Sequence, residues 1–134
     1  MNQRRGNHPF GKVVGGEAEL TTTNGAKLGR CDCDSNDRCS RSKCFEPPDV
    51  YKGEFARALF YMAVRYKGEA SCCQNVAVDR FEVNSWMEST LRQWHSDHPV
   101  TQRERDRNSA VEKWQGVRNP FVDHPQLVYQ IPDF

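Results

Sequence analysis

The chain has 134 residues with 19 basic and 18 acidic side chains, which gives a formal net charge of +1. This length allows one domain of ordinary size, so we predict a single domain over residues 1–134, with a loop-rich, Cys-rich part at 1–48 and a helical part at 49–134. No run of about 18 apolar residues occurs, which excludes a membrane-spanning helix. The near-neutral charge excludes a strongly basic domain, so any contact with nucleic acid must come from local patches.

Residues 1–48 are rich in Gly, Asn, Thr, Ser and Asp, which is typical of loops and turns. Two short segments, Ala18–Thr22 and Ala26–Arg30, favour extended structure and flank the residues Thr23, Asn24 and Gly25. Because an Asn-Gly step favours a tight turn, we predict one short β-hairpin here.

The remainder of the chain has apolar residues at helical spacing in three stretches. The first predicts a helix from about Lys52 to Tyr66, and the second a helix from about Val83 to His95. In the third, Thr101 can cap a first turn together with Glu104, and Gly116 can end the helix. The tail is predicted to pack against these helices through Phe121, Leu127, Val128, Tyr129, Ile131 and Phe134.

The six cysteines form two groups, with Cys31, Cys33, Cys39 and Cys44 in the first and the adjacent Cys72 and Cys73 in the second. An even number of cysteines in a small polar chain favours disulfides, and six cysteines allow fifteen pairings. The alternative is a structural Zn2+ ion bound by the first four thiolates, but their CxC spacing is unusual for such a site.

A short basic patch stands at the start of the chain, where Arg4, Arg5 and Asn7 precede any acidic residue. Arginine offers paired donors to phosphate, so the patch is a candidate nucleic-acid contact, and the alternative is an unpaired terminal loop. The later arginines, from Arg103 to Arg118, alternate with acidic residues, which favours intramolecular ion pairs.

Other polar and aromatic residues are better explained as structural support. We predict a network that ties the third helix to the turn after it, formed by Glu104, Arg107, Asn108 and Asn119. The three tryptophans, Trp86, Trp94 and Trp114, share helix faces with aliphatic residues and are predicted to be core. For the histidines His8, His95, His98 and His124, a surface, capping or variable position is favoured over a general base.

Three longer segments are characteristic in combination: NQRRGNHPFG at residues 2–11, FEPPDVYKGEFARALFYMAVRY at 45–66 and QGVRNPFVDHP at 115–125. Together they resemble the motifs of the endonuclease I family, which comprises secreted or periplasmic metal-dependent nucleases of the ββα-metal (His-Me finger) type. Three positions depart from the family pattern: Glu54 and His98 stand where Asp is more usual, and Val117 stands where Asn is more usual.

The resemblance implies an α+β fold of the His-Me finger type, of which this chain is the C-terminal portion and is mainly α-helical. It also implies that Asn2 is a ligand of one divalent ion, Mg2+, for which an amide oxygen is a suitable hard donor. In the family scheme a His general base and an acidic metal ligand precede this Asn. We therefore expect both upstream of this chain, no catalytic residue within it, and little cleavage by the chain alone.

We accordingly predict a metal-dependent, non-specific endonuclease that hydrolyses phosphodiester bonds of DNA, with RNA as a further substrate. It is expected to be a monomer without a membrane partner, and to be secreted or periplasmic. Since MNQRRGNHPF lacks the apolar stretch of a signal peptide, any export signal is expected upstream. The alternative is a non-catalytic, Cys-rich structural or nucleic-acid-binding module derived from such a nuclease.

Overall fold

The computed structural model describes residues 6–34, 39, 42–67, 78–79 and 82–134. Strands β1 (Val13–Thr21), β2 (Lys27–Cys31) and β3 (Lys43–Glu46) form an antiparallel sheet in the order β1-β2-β3. A short second sheet pairs β4 (Val78–Asp79) with β5 (Glu82–Val83). The helices are α1 (Asp49–Arg65), α2 (Ser85–Asp97), α3 (Gln102–Gln115) and α4 (Pro120–Asp123), followed by a 3-10 helix at Pro125–Gln130. The α+β class is confirmed.

The predicted hairpin is confirmed as β1 and β2. Its turn is closed by the Gly25 backbone N–H, which donates to the Thr22 carbonyl at 2.9 Å, and by the Thr22 N–H, which donates to the Ala26 carbonyl at 2.9 Å. Gly25 has a φ of 88°, a conformation that residues with a Cβ seldom adopt. The structure adds β3 to this hairpin, because residues 43–46 pair with β2 along its whole length.

Two helix ends follow the sequence signals. The Thr101 hydroxyl accepts from the Glu104 backbone N–H at 3.2 Å, and Gly116 ends α3 with a φ of 71°. The second helix begins later than predicted, since Val83 belongs to β5 and its backbone N–H donates to the Phe134 carbonyl at 2.7 Å. This bond ties the end of the chain to the start of α2.

The apolar core lies among the helices and the tail. Phe60 of α1 stacks on Phe134 with ring centroids 4.2 Å apart, and Phe121 meets both rings edge-on. Leu91 and Val128 are fully buried beside them. The predicted packing of the tail is therefore confirmed for most of its apolar residues, although Tyr129 is exposed.

The prediction for the tryptophans is confirmed in part. Trp94 is buried, and Trp86 is partly buried against both the helical core and the cysteine cluster. Trp114 was predicted as core and this is wrong, because its side chain is 90% exposed. It lies near the end of α3, whose buried residues are the polar Glu104 and Asn108.

Candidate metal and nucleic-acid site

The residues predicted to bind metal and nucleic acid fall at the start of the chain. Asn2, Arg4 and Arg5 lie outside the described residues. The described residues begin at Gly6, which has a φ of 56°. Asn7 follows it and has an exposed side chain. We call residues 6–12 the leading segment, because they connect the candidate site to β1.

The leading segment is held against the edge of β3. The Phe45 backbone N–H donates to the Pro9 carbonyl at 2.8 Å, and the Gly11 N–H donates to the Phe45 carbonyl at 3.2 Å. These bonds form an isolated parallel bridge between Phe10 and Phe45. Phe10 is buried, and its ring centroid lies 5.0 Å from that of Phe55 on α1. The segment is thus fixed both to the sheet and to the helical core.

A buried carboxylate also holds the start of β1 in place. Glu46 accepts from the Val13 backbone N–H at 2.9 Å and from the Lys52 ammonium at 2.6 Å. Burial lowers the pKa of Lys52, but hydrogen bonds to Asp49 and Glu46 and the charges of both carboxylates outweigh burial, so the pKa is raised. The lysine therefore stays charged and compensates the buried carboxylate.

The four cysteines of the first group form disulfides, Cys31 with Cys44 and Cys33 with Cys39. This pairing confirms the prediction of disulfides and rules against the alternative of structural Zn2+, since sulfurs joined in disulfides are not available as thiolate ligands. Cys72 and Cys73 lie outside the described residues. Within the part of the chain that the structure describes, no group of three or more His, Cys, Asp or Glu side chains could hold a metal ion.

An open cavity of about 660 Å³ lies between the end of the leading segment and α2. Its lining includes Lys12, Asp32 and Asp34 from the sheet side and hydroxyl and amide groups of α2, namely Ser85, Ser89, Thr90 and Gln93. Lys12 forms an ion pair with Asp32 at 2.9 Å, and the hydrogen bond and charge of Asp32 raise the pKa of Lys12. With one lysine against two carboxylates, the described lining does not favour a phosphate group.

A second polar cluster is buried among the helices. Arg57 of α1 is 1% exposed and binds the Glu104 carboxylate through two bonds of 2.7 Å and 2.6 Å. It also donates to the His98 carbonyl at 3.0 Å, while its own carbonyl accepts from the Asn119 side chain at 3.0 Å. Asn108 and Asn119 are joined by two further bonds. We call these four side chains, Arg57, Glu104, Asn108 and Asn119, the buried polar cluster.

The predicted network is confirmed for Glu104, Asn108 and Asn119. Arg107 does not belong to it, because its side chain is exposed and faces Glu54 at 3.6 Å. The residue that sequence reasoning missed is Arg57. No local pattern indicates its burial, because its partner Glu104 is 47 residues away in the sequence.

One histidine and three of the later arginines have structural partners. His95 is buried beside Phe60, with Nδ1 3.4 Å from the Arg57 guanidinium. Burial and the Arg57 charge lower its pKa, against a weaker opposite effect from a bond to the Pro125 backbone. The predicted ion pairs are confirmed for three arginines: Arg103 and Arg107 face Glu54, and Arg118 binds Asp123 and Glu112.

The model of the endonuclease I family matches residues 1–126 of this chain, a range that includes the leading segment, both disulfides and the buried polar cluster. The chain belongs to the endonuclease I family. Two extracellular ribonucleases are similar to it. The one from Bacillus subtilis (strain 168) is 42% identical over 92 residues, and the one from Bacillus amyloliquefaciens is 40% identical over 92 residues.

Both matches cover 65% of this family member and 32% of the relative. Endonuclease-1 of Buchnera aphidicola subsp. Baizongia pistaciae (strain Bp) is 29% identical over 82 residues, which are 61% of this chain and 28% of the relative. The chain therefore spans about a third of the length of the curated relatives that it matches.

Two further findings concern where this endonuclease I family member acts. The two disulfides of the described residues fit an oxidising compartment, and two of the relatives are named as extracellular. Among the described residues, no helix combines the length and the apolar character that crossing a membrane requires.

Proposed function

We propose that this chain, as one domain, supplies the metal ligand and the phosphate-contacting side chains of a metal-dependent endonuclease. The enzyme hydrolyses phosphodiester bonds of DNA without sequence specificity, and RNA is a further substrate. The family match over residues 1–126 carries the proposal, because it includes the segment with Asn2, Arg4 and Arg5. We propose that it acts as a monomer in a secreted or periplasmic setting, and the disulfides of the described residues support that setting.

Asn2 is proposed as one ligand of a Mg2+ ion. An amide oxygen suits Mg2+, which keeps several waters and usually takes one or two carboxylates as well, so Asn2 would be part of a larger ligand set. When bound, such an ion supplies the charge that stabilises the phosphoryl oxygens and the departing oxygen. We place the carboxylate ligand and the general-base histidine in a part of the protein outside this chain, which spans about a third of its relatives' length.

Arg4, Arg5 and Asn7 are proposed to hold the substrate backbone. Guanidinium groups donate paired hydrogen bonds to phosphate, and contacts of this type carry no base information, which fits cleavage without sequence specificity. The exposed side chain of Asn7, the one described member of this set, agrees with such a contact.

The metal ligand is tested by a titration of the purified chain with Mn2+, followed through water-proton relaxation. Because the carboxylate ligand is placed outside this chain, we expect the wild type to bind Mn2+ weakly. Asn2→Ala should weaken this binding further, whereas the matched variant Asn7→Ala keeps it, because Asn7 is assigned to the substrate. Equal affinities in the two variants would contradict the assignment of Asn2. The wild-type chain alone is expected to nick plasmid DNA only weakly with Mg2+, and strong nicking that survives Asn2→Ala would contradict it as well.

The substrate contact is tested by fluorescence anisotropy with labelled DNA and RNA oligonucleotides in EDTA, so that metal plays no part. Arg4→Ala and Arg5→Ala should each weaken binding and reduce the slope of log affinity against log salt by about 1. The matched control is Arg105→Ala, which removes an exposed arginine of α3 and should change neither quantity. A loss as large in Arg105→Ala would show that charge in general, rather than this patch, binds the substrate.

A further inference from the structure

One face of α3 is exposed along its length and carries basic and aromatic side chains. Four exposed residues follow one another on this face at helical spacing, namely Arg103, Arg107, Ala110 and Trp114. With a rise of about 1.5 Å per residue they extend over about 16 Å. The Trp114 side chain is 90% exposed, so packing in the described core does not account for a tryptophan at this position.

The exposed face continues from α3 onto the start of α1. The Arg103 guanidinium lies over the Tyr51 ring, with Cζ 4.7 Å from the ring centroid, and Tyr51 is itself exposed. Contact with the ring restrains the long arginine side chain while about half of it, 54%, stays open to solvent. We call Tyr51, Arg103, Arg107 and Trp114 the aromatic-basic stripe.

The aromatic-basic stripe carries more positive than negative charge. Arg103 and Arg107 share a single carboxylate, that of Glu54. Asp106 and Lys113 lie together on one flank of the stripe and carry opposite charges. The two guanidinium groups therefore leave one positive charge uncompensated, which favours an anionic partner. Because exposed ion pairs contribute little to stability, a phosphate can take the place of the carboxylate.

Other acidic residues of α3 are directed away from the stripe by the fold. Glu104 turns inward and binds the buried Arg57. Glu112 lies nearly opposite Trp114 around the helix and binds Arg118. The alternation of charges along the sequence therefore does not neutralise this face of the helix.

We propose that the aromatic-basic stripe binds a single strand of the nucleic-acid substrate, with a base stacked on Trp114 and backbone phosphates bound by Arg103 and Arg107. A single strand fits because its bases offer free faces for stacking on an aromatic ring, whereas the bases of a duplex are stacked on one another. The inference rests on the proposed function for the class of its partner. It requires no metal ion and no residue before Gly6.

The stacking is tested by fluorescence anisotropy with a short labelled oligothymidylate in EDTA. Trp114→Ala should weaken binding by about tenfold, within the range found when a base loses an aromatic partner. Trp114→Phe keeps a ring and should keep most of the affinity. The matched control is Tyr129→Ala, which removes an exposed ring from the 3-10 helix and should bind like the wild type.

Two further ligands separate stacking from charge. An abasic strand of the same length has the phosphates but no bases, so the wild type and Trp114→Ala should bind it equally. The two proteins should also bind a duplex of the same sequence equally. A loss of affinity in Trp114→Ala that is as large for the abasic strand as for the oligothymidylate would overturn stacking on this ring.

A gain of affinity tests the two arginines. Glu54→Gln removes the carboxylate that Arg103 and Arg107 share, and should tighten binding several-fold with a steeper dependence on salt. The matched control Glu112→Gln removes the same charge from the opposite side of α3 and should leave the affinity unchanged. Equal gains in the two variants would mean that net charge binds the strand, and would overturn the assignment of the arginines.

The outcomes separate this inference from the proposed function. If the wild type binds the strand and Trp114→Ala binds it equally well, the stripe is overturned, and the substrate contact proposed at the start of the chain is unaffected. If the wild type binds no strand, both contacts are overturned. The fluorescence that Trp114→Phe lacks should be quenched by the strand. If it responds instead only to the protein concentration, the stripe joins two copies of this chain and the inference is overturned.

Discussion

The sheet half of the molecule and its helical half are stabilised by different means. In the described part of the sheet half, the buried apolar cluster consists of cysteines. Exposed ion pairs link its strands, with Arg30 of β2 bound to Glu17 of the neighbouring β1 and Lys43 of β3 reaching across β2 to Glu19 of β1. The helical half has a core of aromatic and aliphatic side chains around Phe60 and a buried ion pair. Exposed pairs contribute little, so apart from the buried Glu46, which binds Lys52 and the Val13 backbone, the sheet half depends on covalent links and backbone bonds.

The metal and phosphate contacts proposed at the start of the chain and most of the residues that hold the fold together are thereby assigned to different halves. The leading segment, which connects to the candidate metal and phosphate contacts, is attached to the sheet half. The long family motifs at residues 45–66 and 115–125 lie mainly in the helical half, where their polar residues bind one another. Many of the residues that identify the family therefore hold the fold, and changes in the two halves should have different consequences.

The largest effect is expected from the buried ion pair. Glu104→Ala leaves the Arg57 guanidinium charged and unpaired inside the helical half, and we expect it to lower the free energy of unfolding by about 3 to 5 kcal/mol. Its matched control on the same helix is Glu112→Ala, which removes an exposed partner of Arg118 and should cost about 0 to 1 kcal/mol. Urea denaturation measures the free energy of unfolding of both variants. Similar losses in the two would mean that burial does not make the Arg57–Glu104 pair more stabilising than an exposed pair.

The next largest effect concerns the disulfides of the sheet half. Loss of Cys31–Cys44, which spans 13 residues, should cost about 3 kcal/mol, and loss of Cys33–Cys39, which spans 6, about 2 kcal/mol from chain entropy. The order of these two losses is tested by urea denaturation of variants in which both cysteines of one disulfide are replaced by alanine. Hydrogen exchange of the first variant should be faster in β1 to β3 while α2 keeps its protection. Uniformly faster exchange would show that the halves do not differ in this way.

A pH effect should arise in the helical half from His95. Its folded pKa lies below the ordinary value of 6.5, so the unfolded chain binds the proton more readily, and stability falls as the pH drops below about 6.5 toward the folded pKa. We expect His95→Gln to flatten the dependence of the unfolding free energy between about pH 7 and pH 5. The exposed His124 provides the control, since His124→Gln should keep the wild-type slope. An unchanged slope in His95→Gln would contradict this cause.

The elements that the sequence predicted are those specified by nearby residues. The hairpin follows from its Asn-Gly step, the start of α3 from Thr101 and Glu104, and its end from Gly116. Strand β3 was not predicted, because Lys43–Glu46 is only four residues long and its partner β2 lies on the other side of the cysteine-rich loop. The local periodicity of so short a strand is too weak to predict it.

The contacts that support the candidate site were harder to predict from the sequence than the family motifs. The burial of Arg57 depends on Glu104, which is 47 residues away, and no local pattern encodes that pairing. The bridge between Phe10 and Phe45, which brings Gly11 beside Cys44, likewise joins residues far apart in the sequence. The family resemblance assigned a candidate role to Asn2, and the local basic patch assigned one to Arg4, Arg5 and Asn7. Their arrangement stays a prediction, because only Asn7 lies within the described residues.

The smallest effect is expected at Trp114, where the sequence prediction of a core residue was wrong. Spacing from Val111 predicted both residues on one face of α3. That helix is attached to the core through Glu104 and Asn108, and the half-buried Val111 lies on their face about two turns after Glu104, whereas Trp114 is turned away from that face and is 90% exposed. Trp114→Ala should therefore change the free energy of unfolding by no more than about 0.5 kcal/mol. Trp94→Ala, which removes a buried ring of the same type, should cost about 3 to 5 kcal/mol. A loss at Trp114 near that of Trp94 would mean that the end of α3 is covered in solution, and that the helical half is held by apolar packing there too.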